Sequence, residues 1–346
     1  MATALDSPLL EVPEQKRKIP IRDLGLTIAG TNLEPILTEF ERELVQVGIQ
    51  KIKPRFYLST EWGVPYDTLA IAIPFYLARP DLTQLQAEQA CHVEGGNGAK
   101  DILRYLRHEM GHVINYAHRL HETKEWVERF GSMDRPYLEE YHPRPFSREY
   151  VHHLPGWYAQ KHPDEDWAET FAVWMTPGKD YRTEYAKWPG ALRKLEYCER
   201  VMKELLEREP VTTSTELDDD VASLTMSLEQ FYGATPPRDG ASHDGAKVVE
   251  LDAMLRTVFA DAGPGNVRLA ASDLIRKAER DLPGSVFQWT GHLPERTKNL
   301  MDDLASRADT LELTYDIEEE IRLAIALTSL VTTLAMNWVQ SGRYVL

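Results

Sequence analysis

Three histidines, one glutamate and one glycine share the short stretch LRHEMGHVINYAH, residues 106–118. On a helix His108 and His112 lie one turn apart and within ~40° of each other, so that two imidazoles can grip one metal ion. Glu109 follows the first of them, rotated by ~100°. From there a carboxylate reaches a metal-held water without taking a coordination position. This is the H-E-x-x-H arrangement. An ion with three protein ligands and one open position brings its bound water to a pKa of about 7, and a neighbouring carboxylate can then accept the proton as the water attacks a carbonyl. Zinc suits the donor set best. The expected chemistry is peptide hydrolysis with Glu109 as general base. Because H-E-x-x-H fixes only three residues, it also arises in helices that bind nothing. Here Ile102, Leu103, Leu106, Met110, Val113 and Ile114 give the helix a buried face, on which unpartnered histidines would be costly.

A third ligand must come from elsewhere, and WYAQKHPDEDWAETFAVWMTPG, residues 157–178, reads as a second short helix rich in carboxylates. Pro163 suits its first turn, Asp164, Glu165 and Asp166 suit its positive N-terminal end, and Pro177-Gly178 stops it. Together LRHEMGHVINYAHRL and LPGWYAQKHPDEDWAETFAVWMTP resemble the bacterial zinc-binding metallopeptidases of the gluzincin type, over roughly residues 50–205. More distantly the chain is similar to the lethal-factor-like peptidases. The resemblance implies His108 and His112 as ligands, Glu109 as catalytic base, and Glu169 as third ligand on a later helix packed against the first. Helical spacing agrees in part: Asp166, Glu169 and Thr170 share a face, whereas Phe171 and Trp174 turn away. Asp166 is then expected to accept a ligand histidine's free N–H, while Asp164 and Glu165 are accounted for by the helix dipole. For the oxyanion donor that such chemistry wants, His162 lies about where the lethal-factor-like enzymes place a tyrosine, and Tyr158 is a turn earlier.

A rival lies within the opening stretch. His108, His112 and His118 also fit H-E-x-x-H-x-x-G-x-x-H with Asn115 in place of the glycine, a metzincin-like site. A continuous helix would rotate His118 by ~240° from His112, so it reaches the metal only if the chain breaks near Asn115. Tyr116, Leu120, Trp126, Val127 and Phe130 continue the apolar pattern without a breaker, so we expect His118 to turn away. Met175 is weak evidence for a metzincin Met-turn. His92, His152 and His153 read as surface residues.

These groups must be positioned by a folded chain, and 346 residues with 42% hydrophobic and 27% charged side chains suffice for two domains. We expect an α+β fold: a zincin-like domain over residues 21–210, with a small sheet, an edge strand and the active-site helices, after a flexible arm over 1–20, and an all-helical domain over 211–346. Leu33 to Val47 form the first helix behind a Thr31 or Asn32 cap. Arg55–Leu58 and Thr68–Ala78 form strands around the turn-like EWGVPYD, and Pro74 confines the second to an edge where an extended peptide substrate could pair. EGGNGAKD, residues 94–101, lacks P-loop spacing and reads as a lead-in to the His108 helix. After residue 210, TTSTELDDD opens a helix, Asp218 to Asp220 being a solvated start, and residues 234–245 form a linker. The second half carries no recognisable chemistry: gating of the cleft, a protein partner and oligomerisation all stay open.

The net charge of -16 argues against nucleic acid or an anionic membrane as partner, and Lys16 to Lys18 read as a solvated tail. Cys91 and Cys198 make no disulfide framework. The N-terminus shows no basic start with an apolar run, so a cytoplasmic location is expected. Leu323 to Met336, with four hydroxyl residues, reads as a buried helix rather than a membrane span.

Overall fold

Helix α1 (Leu33–Gln46) begins where the Thr31 hydroxyl accepts the Leu33 N–H at 3.3 Å, and its Leu33, Ile36, Leu37, Phe40 and Leu44 are buried. Strands β1 (Arg55–Ser59) and β2 (Ala70–Pro74) pair in parallel, from Arg55 opposite Ala70 to Ser59 opposite Pro74. All of β2 is buried, as its unbroken apolar run AIAIP requires. Its other flank is not bare: Ala72 N–H donates to the Gly63 carbonyl at 2.8 Å. The EWGVPYD stretch, read as a turn, therefore covers part of the edge expected for a peptide, and Pro74 sits at the last position of the strand, where its missing N–H costs no ladder bond.

These are features of a computed structural model that describes residues 12–344, apart from 90–92, 139–140, 142, 145, 213, 234–244 and 262–267. Cys91, His92 and most of the expected linker lie outside the described residues, as do residues 1–11 of the expected arm. From Val12, which is buried, the chain is packed: Ile21 N–H donates to the Met226 carbonyl at 2.8 Å.

After α2 (Pro80–Gln89), the long helix α3 (Ala99–His118) follows a glycine turn whose Gly98 has φ +89°. The helix runs through Asn115 and stops at Arg119, which adopts the left-handed conformation. The apolar pattern beyond His118 belongs to a short turn and to α4 (Lys124–Phe130), capped by the Thr123 hydroxyl. Helix α5 (Pro163–Met175) starts at Pro163 as its sequence predicts and packs on α3, with α6 (Pro189–Leu205) on its far side. Met175 is wholly buried in this core, so it lines no metal.

The chain divides into two compact units, one of residues 1–138, 148–154 and 158–235, the other of 139–147, 155–157 and 236–346. Residues 211–235 thus lie with the first unit, not with the second as the composition shift at 210 predicts. Val211 N–H donates to the Ala117 carbonyl, Val221 N–H to that of Leu58, and Leu228 is fully buried. No helix opens among the described residues of TTSTELDDD; the Asp218 carbonyl instead accepts the Tyr57 hydroxyl at 3.0 Å.

In the second unit, α7 (Gly245–Val258), α8 (Ala271–Ala278), α9 (Leu282–Thr290), α10 (Pro294–Thr310) and α11 (Glu320–Ser341) surround a core that includes Leu255, Met301, Leu304, Leu327 and Leu334. It is not all-helical: β3 (Ala260–Asp261), β4 (Arg268–Ala270) and β5 (Leu313–Asp316) form a small antiparallel sheet with β5 central. The LTYD of β5 alternates buried and half-exposed residues, a period too short to stand out in the sequence. Helix α11 is longer than expected, and by length and composition it could cross a membrane. Its buried stripe of Leu323, Leu327, Leu330, Val331 and Leu334 is spent on the unit's own core.

Candidate metal centre

The glycine in the H-E-x-x-H stretch sets the site. A Cβ on Gly111 would stand 2.6 Å from Ala168 Cα and 3.1 Å from the Ala168 carbonyl oxygen, so only a bare backbone lets α5 come this close to α3. Trp167 fixes the contact by donating its indole N–H to the Gly111 carbonyl at 2.7 Å. With Ala168 facing α3, the residues three before and one after it, Glu165 and Glu169, flank the contact.

Three donor atoms converge there. His108 Nε2 lies 2.9 Å from Glu165 Oε2, His112 Nε2 3.3 Å from the same oxygen, and the two nitrogens are 3.2 Å apart. Ligands bound about 2.0–2.2 Å from zinc in a tetrahedron stand a little over 3 Å from one another. The three observed edges fit that triangle. His108, His112 and Glu165 are all buried.

Glu169, the carboxylate that the resemblance implies as third ligand, lies on the other side of His108. Its Oε1 faces His108 Nδ1 at 2.9 Å, and it also accepts the backbone N–H groups of His153 and Leu154 at 3.0 and 2.9 Å. A carboxylate at that place can hold a histidine proton on Nδ1 and so leave Nε2 free to meet a metal. Asp164 stands in the same relation to His112: its Oδ2 faces His112 Nδ1 at 3.0 Å and accepts the Tyr116 hydroxyl at 2.6 Å. Asp166, expected in this role, points instead toward α6, where Lys194 Nζ lies 2.5 Å from Oδ2. On a helix two residues apart means ~200° of rotation, so Asp164 and Asp166 face opposite neighbours.

His162 has both ring nitrogens engaged: Nδ1 accepts the Asp164 N–H at 3.2 Å as the cap of α5, and Nε2 donates to the Arg135 carbonyl at 2.9 Å. Tyr158 lies in the site, its ring 5.5 Å from that of His108 and its hydroxyl 3.3 Å from the Tyr137 hydroxyl. Tyr137, which sequence reasoning missed, donates to Glu165 Oε1 at 2.5 Å. His118 is the last residue of α3 and stands outside the donor triangle; burial and then Arg208 hold its pKa below the ordinary value. His153 is no surface residue: Nε2 bonds the Arg104 carbonyl at 3.0 Å, and burial lowers its pKa to about 4.

The site is electrostatically strained toward a cation. Burial opposes a charged imidazole, yet the Glu165 and Glu169 carboxylates outweigh it and raise His108 to about 9, and Asp164 and Glu165 raise His112 likewise. Burial would raise Glu165, Asp164 and Glu169 too, but their histidine partners lower all three. Glu109 moves the other way. Burial raises it, with the histidines only partly offsetting this, and among the described residues its carboxylate has no hydrogen-bond partner.

Residues 88–231, which carry both motifs and every donor of the triangle, match the family model described as "Putative zinc-binding metallo-peptidase". No curated protein and no solved structure matches the chain. Over these residues the chain is similar to the family so described, and the donor triangle lies within the matched stretch.

Proposed function

We propose that the first unit is a zinc-dependent peptidase in which His108, His112 and Glu165 hold the metal and Glu109 is the general base. The observation that carries this reading is the contrast among the buried carboxylates of the site. Asp164, Glu165 and Glu169 are each tied to a histidine, whereas Glu109 on the same cluster is tied to nothing described. A carboxylate so placed, with its pKa pushed up by burial, suits proton transfer near neutral pH. Bound zinc supplies Lewis-acid chemistry, acidifying a water and polarising a carbonyl.

The chain's own residues do the rest. Glu109 takes a proton from the attacking water as its oxygen bonds to the peptide carbonyl carbon. It returns that proton to the amide nitrogen as the C–N bond breaks, which releases an amine and a carboxylic acid, whose proton then passes to the amine to leave a carboxylate and an ammonium. Glu169 and Asp164 keep the histidine Nε2 lone pairs directed at the metal. Tyr158, whose ring lies beside His108, is the phenol placed to donate to the oxyanion, since the Tyr137 hydroxyl is committed to Glu165 and His162 to the cap of α5 and the Arg135 carbonyl. The substrate class is a peptide or protein.

The test is Glu109→Gln, assayed on a peptide library. The variant should lose cleavage by at least ~100-fold, the scale of general-base catalysis, and retain its zinc. Cleavage that survives the exchange would overturn the role of Glu109. No cleavage by the zinc-loaded wild type would favour a binding module over an enzyme.

A further inference from the structure

Asn115, which sequence reasoning weighed as a break in α3, is a fully buried helical residue in the middle of a hydrogen-bond chain. The chain runs from His112 to the surface. Asn115 Nδ2 donates to Asp164 Oδ1 at 2.7 Å, the carboxylate whose other oxygen faces His112 Nδ1. Asn115 Oδ1 accepts the His121 backbone N–H at 2.9 Å and faces His121 Nδ1 at 3.2 Å. His121 Nε2 lies 3.1 Å from the hydroxyl of Tyr66, which is 57% exposed.

The direction of the inner bonds follows from one donor. A backbone N–H can only donate, so Asn115 turns its oxygen to His121 and its NH2 to Asp164. That oxygen can only accept, so His121 carries its proton on Nδ1. Nε2, on the far side of the ring, faces the Tyr66 hydroxyl. The donors of the inner links, His121 Nδ1 and Asn115 Nδ2, point inward, toward Asp164. Asp164 is thereby oriented with Oδ2 toward His112 Nδ1, and an acceptor at that place keeps the His112 proton on Nδ1 and leaves Nε2 for the metal.

We infer that His121 is a positioning residue for the metal centre, acting through Asn115 and Asp164 to fix the tautomer and orientation of His112. This rests on the proposed ligand set. The plainer alternative is that His121 merely ties the turn after α3 to the loop between β1 and β2. The two differ in what they move: a structural tie changes the stability of the zinc-free protein, a positioning residue changes zinc affinity at equal stability.

The experiment is chelator competition with zinc on the full chain, for wild type, His121→Phe, His121→Asn and Tyr66→Phe, beside thermal unfolding of each zinc-free protein. His121→Phe should weaken zinc by ~10-fold, the lower end for loss of a group behind a ligand. His121→Asn, whose amide nitrogen takes the place of Nδ1, should stay within about threefold of wild type, and so should Tyr66→Phe. Wild-type affinity in His121→Phe, or equal loss in His121→Asn, would overturn the inference. So would a fall in zinc-free stability with affinity unchanged. If His121→Phe does not fold, Asn115→Ala cuts the chain one link nearer and carries the same expectation, wild-type affinity again overturning it. A wild type that takes no zinc would instead refute the metal centre itself.

Discussion

Gly111→Ala is the smallest change that should dismantle the site. Helix propensity alone predicts that it stabilises the protein, because alanine is favoured over glycine inside a helix by about 1 kcal/mol. The packing predicts the reverse. The new methyl would lie 2.6 Å from Ala168 Cα and 3.1 Å from its carbonyl oxygen, whereas carbon atoms in contact stand about 3.5–4.0 Å apart. Both neighbours are backbone and cannot rotate away, so α5 must recede by about 1 Å. Overpacking of this kind costs about 1–3 kcal/mol, so the net loss should be about 0–2 kcal/mol after the propensity gain. The site suffers more than the fold does. Glu165 and Glu169 ride on α5 and meet His108 at 2.9 Å, while metal ligand distances tolerate only about ±0.2 Å. Zinc affinity should therefore fall by at least ~10-fold, by analogy with lost support behind a ligand. Urea unfolding of the zinc-free protein and chelator competition read the two effects separately. A variant more stable than wild type with unchanged zinc affinity would refute the packing argument.

Other expectations follow from buried charges. Lys194→Met leaves Asp166 without its cation, and breaking such a pair costs about 3–5 kcal/mol; burial, against the attraction of Lys194, already raises Asp166 to about 7, so the loss measured by urea unfolding should be smaller at low pH, where the acid is neutral, than at high pH. In the second unit His292 is fully buried between the Thr297 and Tyr344 hydroxyls, and burial lowers it to about 3 from 6.5. Since the unfolded chain binds the proton more tightly, this histidine's contribution is complete above about pH 6.5 and is lost as the pH falls toward 3. Between about pH 7 and about pH 5 the loss is roughly 2 kcal/mol. His292→Gln should flatten that part of the stability profile, and an unchanged profile would contradict the assignment.

The sequence made the helices legible because their ends carry chemistry: Thr31 before α1, the glycine turn before α3, Pro163 and Pro177 around α5. That His108 and His112 come together was legible because their geometry is contained in one helical turn. The third carboxylate was harder. The choice between Glu165 and Glu169 depends on which face of α5 meets α3, and no residue of α5 fixes that alone. The signal was split between two helices, a glycine beside His112 and an alanine beside Glu169, and the close approach of their backbones becomes visible only when both are placed. His121 and Tyr66 lie six residues after and far before Asn115, so no spacing rule joins them. The boundary near 235 was hidden for a similar reason: residues 211–235 are polar in composition but hold to the first unit through backbone bonds and a few buried side chains.

The central claim is that one metal sits among His108, His112 and Glu165 while Glu169 stands behind His108. Zinc content, measured by elemental mass spectrometry on wild type, Glu165→Gln and Glu169→Gln after metal-replete purification, tests it directly. About one zinc per chain is predicted for wild type, with most of it lost in Glu165→Gln and most retained, though more weakly held, in Glu169→Gln. Zinc kept by Glu165→Gln and stripped from Glu169→Gln would contradict the account, as would a wild type that takes up none.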